Sequence, residues 1–113
     1  MTGISISTHV LDTALGKPAQ GLKVRLAIQD DGAWQTLNET ATNQDGRVLD
    51  LLNGSPLLPG TYRLSFESGA YHLTTLGSAF YPSIDVTFQV DTTGHHHIPL
   101  LLSPYGYSTY RGT

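Results

Sequence analysis

The sequence predicts an all-β protein, a two-sheet sandwich of seven to eight short strands with one short helix, and three observations carry that expectation. Apolar and polar residues alternate with period two through most of the chain, which sends one side of each segment to a core and the other outward. Turn signals rich in Gly, Pro, Asp and Asn punctuate these runs at nearly regular spacing, as in a sandwich. Only residues 69–77 carry a plausible helical pattern, about two turns long.

Ile4, Ile6, Thr8 and Val10 share one parity and Ser5, Ser7 and His9 the other, which marks the first strand. Leu22 to Ile28 alternates strictly and ends at the turn signal Asp30-Asp31-Gly32. Trp34 to Thr42 reads as the next strand. Asn43-Gln44-Asp45-Gly46 is a turn, and Arg47 leads out of it into a short segment ending near Leu51. Leu58-Pro59-Gly60 opens the strand Thr61 to Phe66, and Ile84 to Val90 alternates cleanly after the helical stretch. His96 to Leu102 and Tyr105 to Tyr110 form a closing pair around Ser103-Pro104. With no internal repeat, low-complexity tract or linker, residues 1–113 read as one domain.

Composition excludes several classes of function. The formal net charge is −3 with only six Lys and Arg, so a nucleic-acid footprint is not expected. There is no cysteine, hence no disulfide framework, thiolate nucleophile or zinc knuckle. Residues 1–10 lack the basic and apolar regions of a secretory signal. No apolar run approaches the roughly 20 residues of a membrane helix. A cytoplasmic protein without membrane or nucleic-acid partners is the expectation.

Parity also sorts the polar groups. If Ile4, Ile6 and Val10 face the core, His9 faces outward with Ser5 and Ser7. If Ile98, Leu100 and Leu102 face the core, His95 and His97 face outward with Pro99 and Leu101. In the last strand Ser108 and Tyr110 share one side, and Tyr105, Tyr107 and Thr109 the other. One outer surface can therefore carry His9, His97, Ser108 and Tyr110 together. It would also carry Leu101, an apolar side chain that prefers a covering partner to water.

Taken singly, these residues have simpler roles: a strand histidine is commonly a surface group, and Arg47 after Asp45-Gly46 is simply a solvated hairpin residue. His95 and His97 lie on one side, yet two histidines with no carboxylate or cysteine at ligand spacing make a weak metal motif. There is no G-x-S-x-G elbow, and Ser108 has no evident triad. Asp12, Asp45 and Asp50 fall in turns, which disfavours paired-carboxylate chemistry. Histidine acid/base chemistry beside arginine and tyrosine remains, because imidazole titrates near neutrality and guanidinium offers a planar donor fork. Hydrolysis of a small, planar, activated amide fits that inventory without metal, cofactor or covalent intermediate.

Three segments, HVLDTALGKPAQGLKVRL (His9 to Leu26), NQDGR (Asn43 to Arg47) and HHHIPLLLSPYGYSTYRGT (His95 to Thr113), resemble the 5-hydroxyisourate hydrolase family. These are transthyretin-like enzymes of urate breakdown, and the resemblance covers essentially the whole chain. It implies an eight-stranded transthyretin-like (prealbumin-like) sandwich, assembled as a homotetramer, a dimer of dimers, with active sites in the channel between dimers. It carries over His9, Arg47 and His97 as catalytic residues. Tyr110 and Arg111, with Ser108 in second rank, join His9 and Arg47 in binding substrate. The implied reaction takes the purine-derived 5-hydroxyisourate to 2-oxo-4-hydroxy-4-carboxy-5-ureidoimidazoline. His9 and His97 would bind and deprotonate water while Arg47 and Tyr110 hold the ring. Two departures stand out: His96 replaces the usual tyrosine, and Thr113 the usual terminal serine. The opposite parity of His96 and the retained hydroxyl of Thr113 imply unchanged chemistry.

Two rivals remain at this level. A carrier of small hydrophobic ligands, of transthyretin type, would use the same channel but should be less polar at positions 9, 47, 97 and 110. An accessory sandwich module of peptidases or surface proteins should bring flanking domains and a secretion signal.

Overall fold

The alternating segments become two antiparallel-rich sheets in the computed structural model, which describes residues 5–91 and 94–112. Ile4 and Thr113, which figured in the expectations above, lie outside the described residues. The order is β1 (Ser5–Asp12), β2 (Lys17–Pro18), β3 (Lys23–Asp30), β4 (Ala33–Ala41), β5 (Arg47–Val48), β6 (Gly60–Phe66), α1 (Ser68–Leu76), β7 (Ile84–Val90), β8 (His95–Ser103) and β9 (Gly106–Thr109). One sheet runs β2-β1-β8-β9, with β5 also paired to β1, and the other runs β4-β3-β6-β7. The all-β, two-sheet sandwich with one short helix is as expected.

The core lies between the sheets. Ile6, Val10, Ile98, Leu100 and Leu102 enter it from the first sheet, and Val24, Leu26, Tyr62, Leu64, Phe66, Ile84 and Val90 from the second. Each large side chain buried here contributes about 1.5–3 kcal/mol relative to exposure. The Tyr62 hydroxyl escapes an unpaired burial by donating to the Leu58 carbonyl at 2.7 Å and accepting the Leu58 N–H at 3.1 Å.

Three details differ from the sequence expectation. The described residues hold nine strands rather than seven or eight, because β2 and β5, each two residues long, add themselves to the outer edge of β1. Pairing with β1, not local alternation, makes them strands. Tyr105 sits in the β8–β9 turn and is 77% exposed, so the last strand starts at Gly106. The segment from Arg47 continues as strand only through Val48. Among the described residues, no helix is long and apolar enough to cross a membrane.

Candidate active site

Strands β1 and β8 lie parallel, with Ser5 opposite His95, Ser7 opposite His97, His9 opposite Pro99 and Leu11 opposite Leu101. Because Ile6, Val10, Ile98, Leu100 and Leu102 point into the core, these paired residues all share the outer side of the first sheet. The parity argument for His9, His95, His97 and Leu101 therefore holds. The parallel register adds what parity lacked: it sets the serines of β1 directly beside the histidines of β8.

Arg47 reaches the same side from the other edge of β1, where β5 places it opposite His9. The preceding turn is tightly specified. Asn43 Oδ1 accepts the N–H groups of Asp45 at 2.9 Å and Arg47 at 3.0 Å, and the Gly46 carbonyl accepts the Val10 N–H at 2.7 Å. Gly46 has φ +74°, and a Cβ there would stand 2.5 Å from the Val10 carbonyl oxygen. Only glycine lets this turn press against β1 and bring the next residue level with His9.

Ser7, only 4% exposed, joins the two outer histidines of β8. Its Oγ lies 2.7 Å from His97 Nδ1 and 2.9 Å from His95 Nε2. At the far end Ser5 Oγ hydrogen-bonds His95 Nδ1. The two imidazoles stack, with centroids 6.2 Å apart and planes 19° from parallel. With Nδ1 of His97 engaged by Ser7, Nε2 is the ring nitrogen left to meet a bound molecule.

Both His9 and His97 titrate below the ordinary 6.5. For His9 partial burial is the larger cause and the Arg47 charge the next, while the backbone and charge of Asp45 pull the other way. For His97 burial again leads, followed by the charges of His95, Arg47 and His9, against a smaller opposing contribution from the Ser7 backbone. Two neutral imidazoles beside a guanidinium at pH 7 form a base-competent pair with a fixed cation.

The C-terminal segment continues the antiparallel pairing of β9 with β8. Leu101 faces Ser108, Leu100 faces Thr109, and beyond the strand the Gly112 N–H donates to the His97 carbonyl at 2.8 Å. A Cβ on Gly112 would come 2.5 Å from His97 Cδ2, so glycine there lets the chain pass against the imidazole. The bridge between His97 and Gly112 keeps the register of β9, which sets Tyr110 opposite Pro99 on the outer side and Arg111 opposite Ile98 on the other. Tyr110 and Arg111 border a pocket of about 250 Å³ at the open edge of the sandwich, with His97, His96 and Phe88. Ser108 stands four residues farther along the face than His97, roughly 13 Å at the rise of a strand.

The fold thus brings together His9, Arg47 and His97, with Tyr110 next along the face. Arg111 shares the neighbouring edge pocket with His97 and Tyr110, and Ser108 stands farther along the face. Ser7 and His95 belong to the cluster although sequence reasoning gave them no role; their shared parity with His9 and His97 was the signal. A pocket of about 200 Å³ is lined by Ser7, Thr8, Arg47, Leu49, His95 and His97. A larger depression of about 560 Å³ on the second sheet is bordered by Lys23, Arg25, Glu39 and Glu67. All four are solvated, and no histidine lines that depression, so the smaller pocket is the candidate site. Among the described residues, no group of three or more His, Cys, Asp or Glu is arranged to hold a metal ion.

Known proteins resemble this chain in both sequence and fold. The chain is 45% identical over 111 residues to 5-hydroxyisourate hydrolase of Mus musculus, which covers 96% of this chain and 94% of that one. A solved 5-hydroxyisourate hydrolase of Klebsiella pneumoniae superposes with TM-score 0.86 at 34% identity, covering 97% of this chain and 99% of that one. Transthyretin from Sparus aurata superposes with TM-score 0.89 at 26% identity, covering 96% and 97%. The pattern of the HIUase/Transthyretin family matches residues 6–112, a span that takes in His9, Arg47, His97 and Tyr110, and the chain is a member of that family.

Proposed function

We propose that this protein is a 5-hydroxyisourate hydrolase, and one observation carries the proposal: His9 and His97, both held toward the neutral form, meet Arg47 on one outer face. The two imidazoles bind a water molecule, and His97 takes its proton through Nε2. The water oxygen bonds to the ring carbonyl carbon, and the Arg47 guanidinium steadies the charge gathering on the carbonyl oxygen. The carbon–nitrogen bond of the cyclic amide then breaks, and the proton held by imidazole passes to the departing nitrogen. Water is thus divided between a new carboxyl group and a ureido nitrogen, giving 2-oxo-4-hydroxy-4-carboxy-5-ureidoimidazoline. Tyr110 holds the planar substrate from the C-terminal side. The relatives named above at 45% and 34% identity support the substrate assignment.

Assembly as a homotetramer, a dimer of dimers, and a cytoplasmic setting belong to the same proposal. Leu49 is 66% exposed and Tyr110 57% exposed beside the pocket, and Leu11 and Leu101 remain partly uncovered on the same side. Edge strands β7 and β9 carry unpaired ladders. A second copy over the histidine face would cover these side chains and close the pocket.

Following the ultraviolet decay of freshly generated 5-hydroxyisourate tests the activity. Saturable acceleration proportional to protein concentration is expected; a decay rate equal to that of buffer would overturn the assignment and leave a ligand carrier. Light scattering should give a tetramer, and a fully active monomer at micromolar concentration would remove the channel.

A further inference from the structure

We propose that His95 is a positioning residue for the reaction: through the single hydroxyl proton of Ser7, it fixes which ring nitrogen of His97 carries hydrogen. The inference rests on the hydrolase reading for its kinetic part only. Ser7 Oγ stands between His97 Nδ1 at 2.7 Å and His95 Nε2 at 2.9 Å. A hydroxyl donates one hydrogen and accepts others, so with both rings neutral it can donate to only one of these nitrogens. The other must bear its own hydrogen and donate it to Oγ. The tautomers of the two histidines are therefore locked together.

Of the two possible polarities, one runs from His97 Nδ1–H to Ser7 Oγ, from Ser7 O–H to His95 Nε2, and from His95 Nδ1–H to Ser5 Oγ, which the structure places at that nitrogen. This polarity leaves a lone pair on His97 Nε2. It is the favoured one, because His97 shares its pocket with Arg47, and a lone pair beside a guanidinium is more stable than an N–H beside it. The reversed chain would put hydrogen on Nε2 and leave His97 unable to accept a proton from water there. His95 itself is exposed, so its ring contributes little to the core and its replacement tests the lock without unfolding the sheet.

Nitrogen-15 spectra of the assigned histidine rings read the lock directly. His97 should show hydrogen on Nδ1 and a bare Nε2 at neutral pH, and His95 a bare Nε2. In His95→Leu the Ser7 hydroxyl loses its acceptor and turns to His97 Nδ1, so the Nε2–H form of His97 should grow. The kcat should fall about 10- to 100-fold, as for loss of a group that orients a catalytic histidine, with KM within about twofold. His95→Gln, whose Oε1 can accept from Ser7, should restore most of kcat. Adding Ser7→Ala to His95→Leu should cost no more than Ser7→Ala alone, because both changes break one chain. An unchanged His97 nitrogen pattern in His95→Leu, full turnover in that variant, or a glutamine variant as impaired as the leucine one would each overturn the inference. Wild-type protein that fails to accelerate hydroxyisourate decay would sink the hydrolase reading instead, and the nitrogen pattern would still decide the lock.

Discussion

The two outer faces of this sandwich rest on the same core but carry different chemistry. On the second sheet Arg25 pairs with Glu39 across the strands at 3.9 Å, with side chains 45% and 69% exposed, and Arg63 lies over the Trp34 ring at 4.3 Å. Arg25 and Glu39 are solvated and paired where they stand, and Arg63 is held against an aromatic ring. On the first sheet the polar groups are histidines and serines, partly buried, hydrogen-bonded in series and faced by one cation. Exposed ion pairs contribute little to stability. Imidazoles shifted by burial and a neighbouring charge are the pattern expected of a working site.

Removing an imidazole should separate the faces most sharply. His97→Asn or His9→Asn should lower kcat about 10²- to 10⁴-fold, the usual worth of a general base, whereas Arg25→Ala should leave steady-state kinetics within about twofold. Equal losses on both faces would erase the distinction. The C-terminus comes next. Tyr110→Ala should cost about 100-fold in kcat/KM and Tyr110→Phe less, since the phenyl ring still stacks while the hydroxyl is gone; wild-type kinetics in both would remove Tyr110 from the site.

Gly46→Ala tests the turn that aligns Arg47 with His9. The added Cβ would meet the Val10 carbonyl oxygen at 2.5 Å in a residue at φ +74°. Loss of about 1–3 kcal/mol in urea unfolding and roughly tenfold lower turnover are expected, while alanine at a solvated glycine of the second sheet's β3–β4 turn should spare turnover. Acidification gives a smaller and reversible effect. Because His9 and His97 titrate below 6.5, the acid limb of turnover should have its midpoint below pH 6.5, as the two imidazoles charge. The unfolded chain takes up these protons first, so the contribution of the pair to stability is full above 6.5 and declines as pH drops toward the folded values. A turnover limb centred above 6.5 would contradict the shifts. The smallest effect belongs to Glu39→Gln, which should change stability by less than about 1 kcal/mol and leave turnover untouched.

Local alternation made most of this architecture legible. The parities of Ser5, Ser7 and His9, and of His95 and His97, correctly placed all five on one outer side, because a strand's side chains are sorted by its own sequence. Resemblance, not pattern, singled out Arg47. Its position opposite His9 depends on β5 docking against β1, a pairing that two residues cannot announce. The serine–histidine chain was hidden for the same reason: Ser7 and His97 are 90 residues apart, and only the parallel register of β1 and β8 makes them neighbours. The placement of Arg111 opposite Ile98, on the other side from Tyr110, likewise follows from the register of the C-terminal segment with β8.

That same parallel pairing governs when the site comes into being. β1 leaves the ribosome well before β8, the strand that completes its inner edge, since Ser5 and His95 pair across 90 residues. Contacts of such long sequence separation form late and slowly, since the intervening chain must be closed into a loop before they add stability. Until β8 follows, β1 therefore offers an unfilled edge with its histidine already in place. The pocket closes only when the last two strands arrive. Chains arrested before residue 95 should then bind molecular chaperones persistently, and release should coincide with the appearance of the paired histidines.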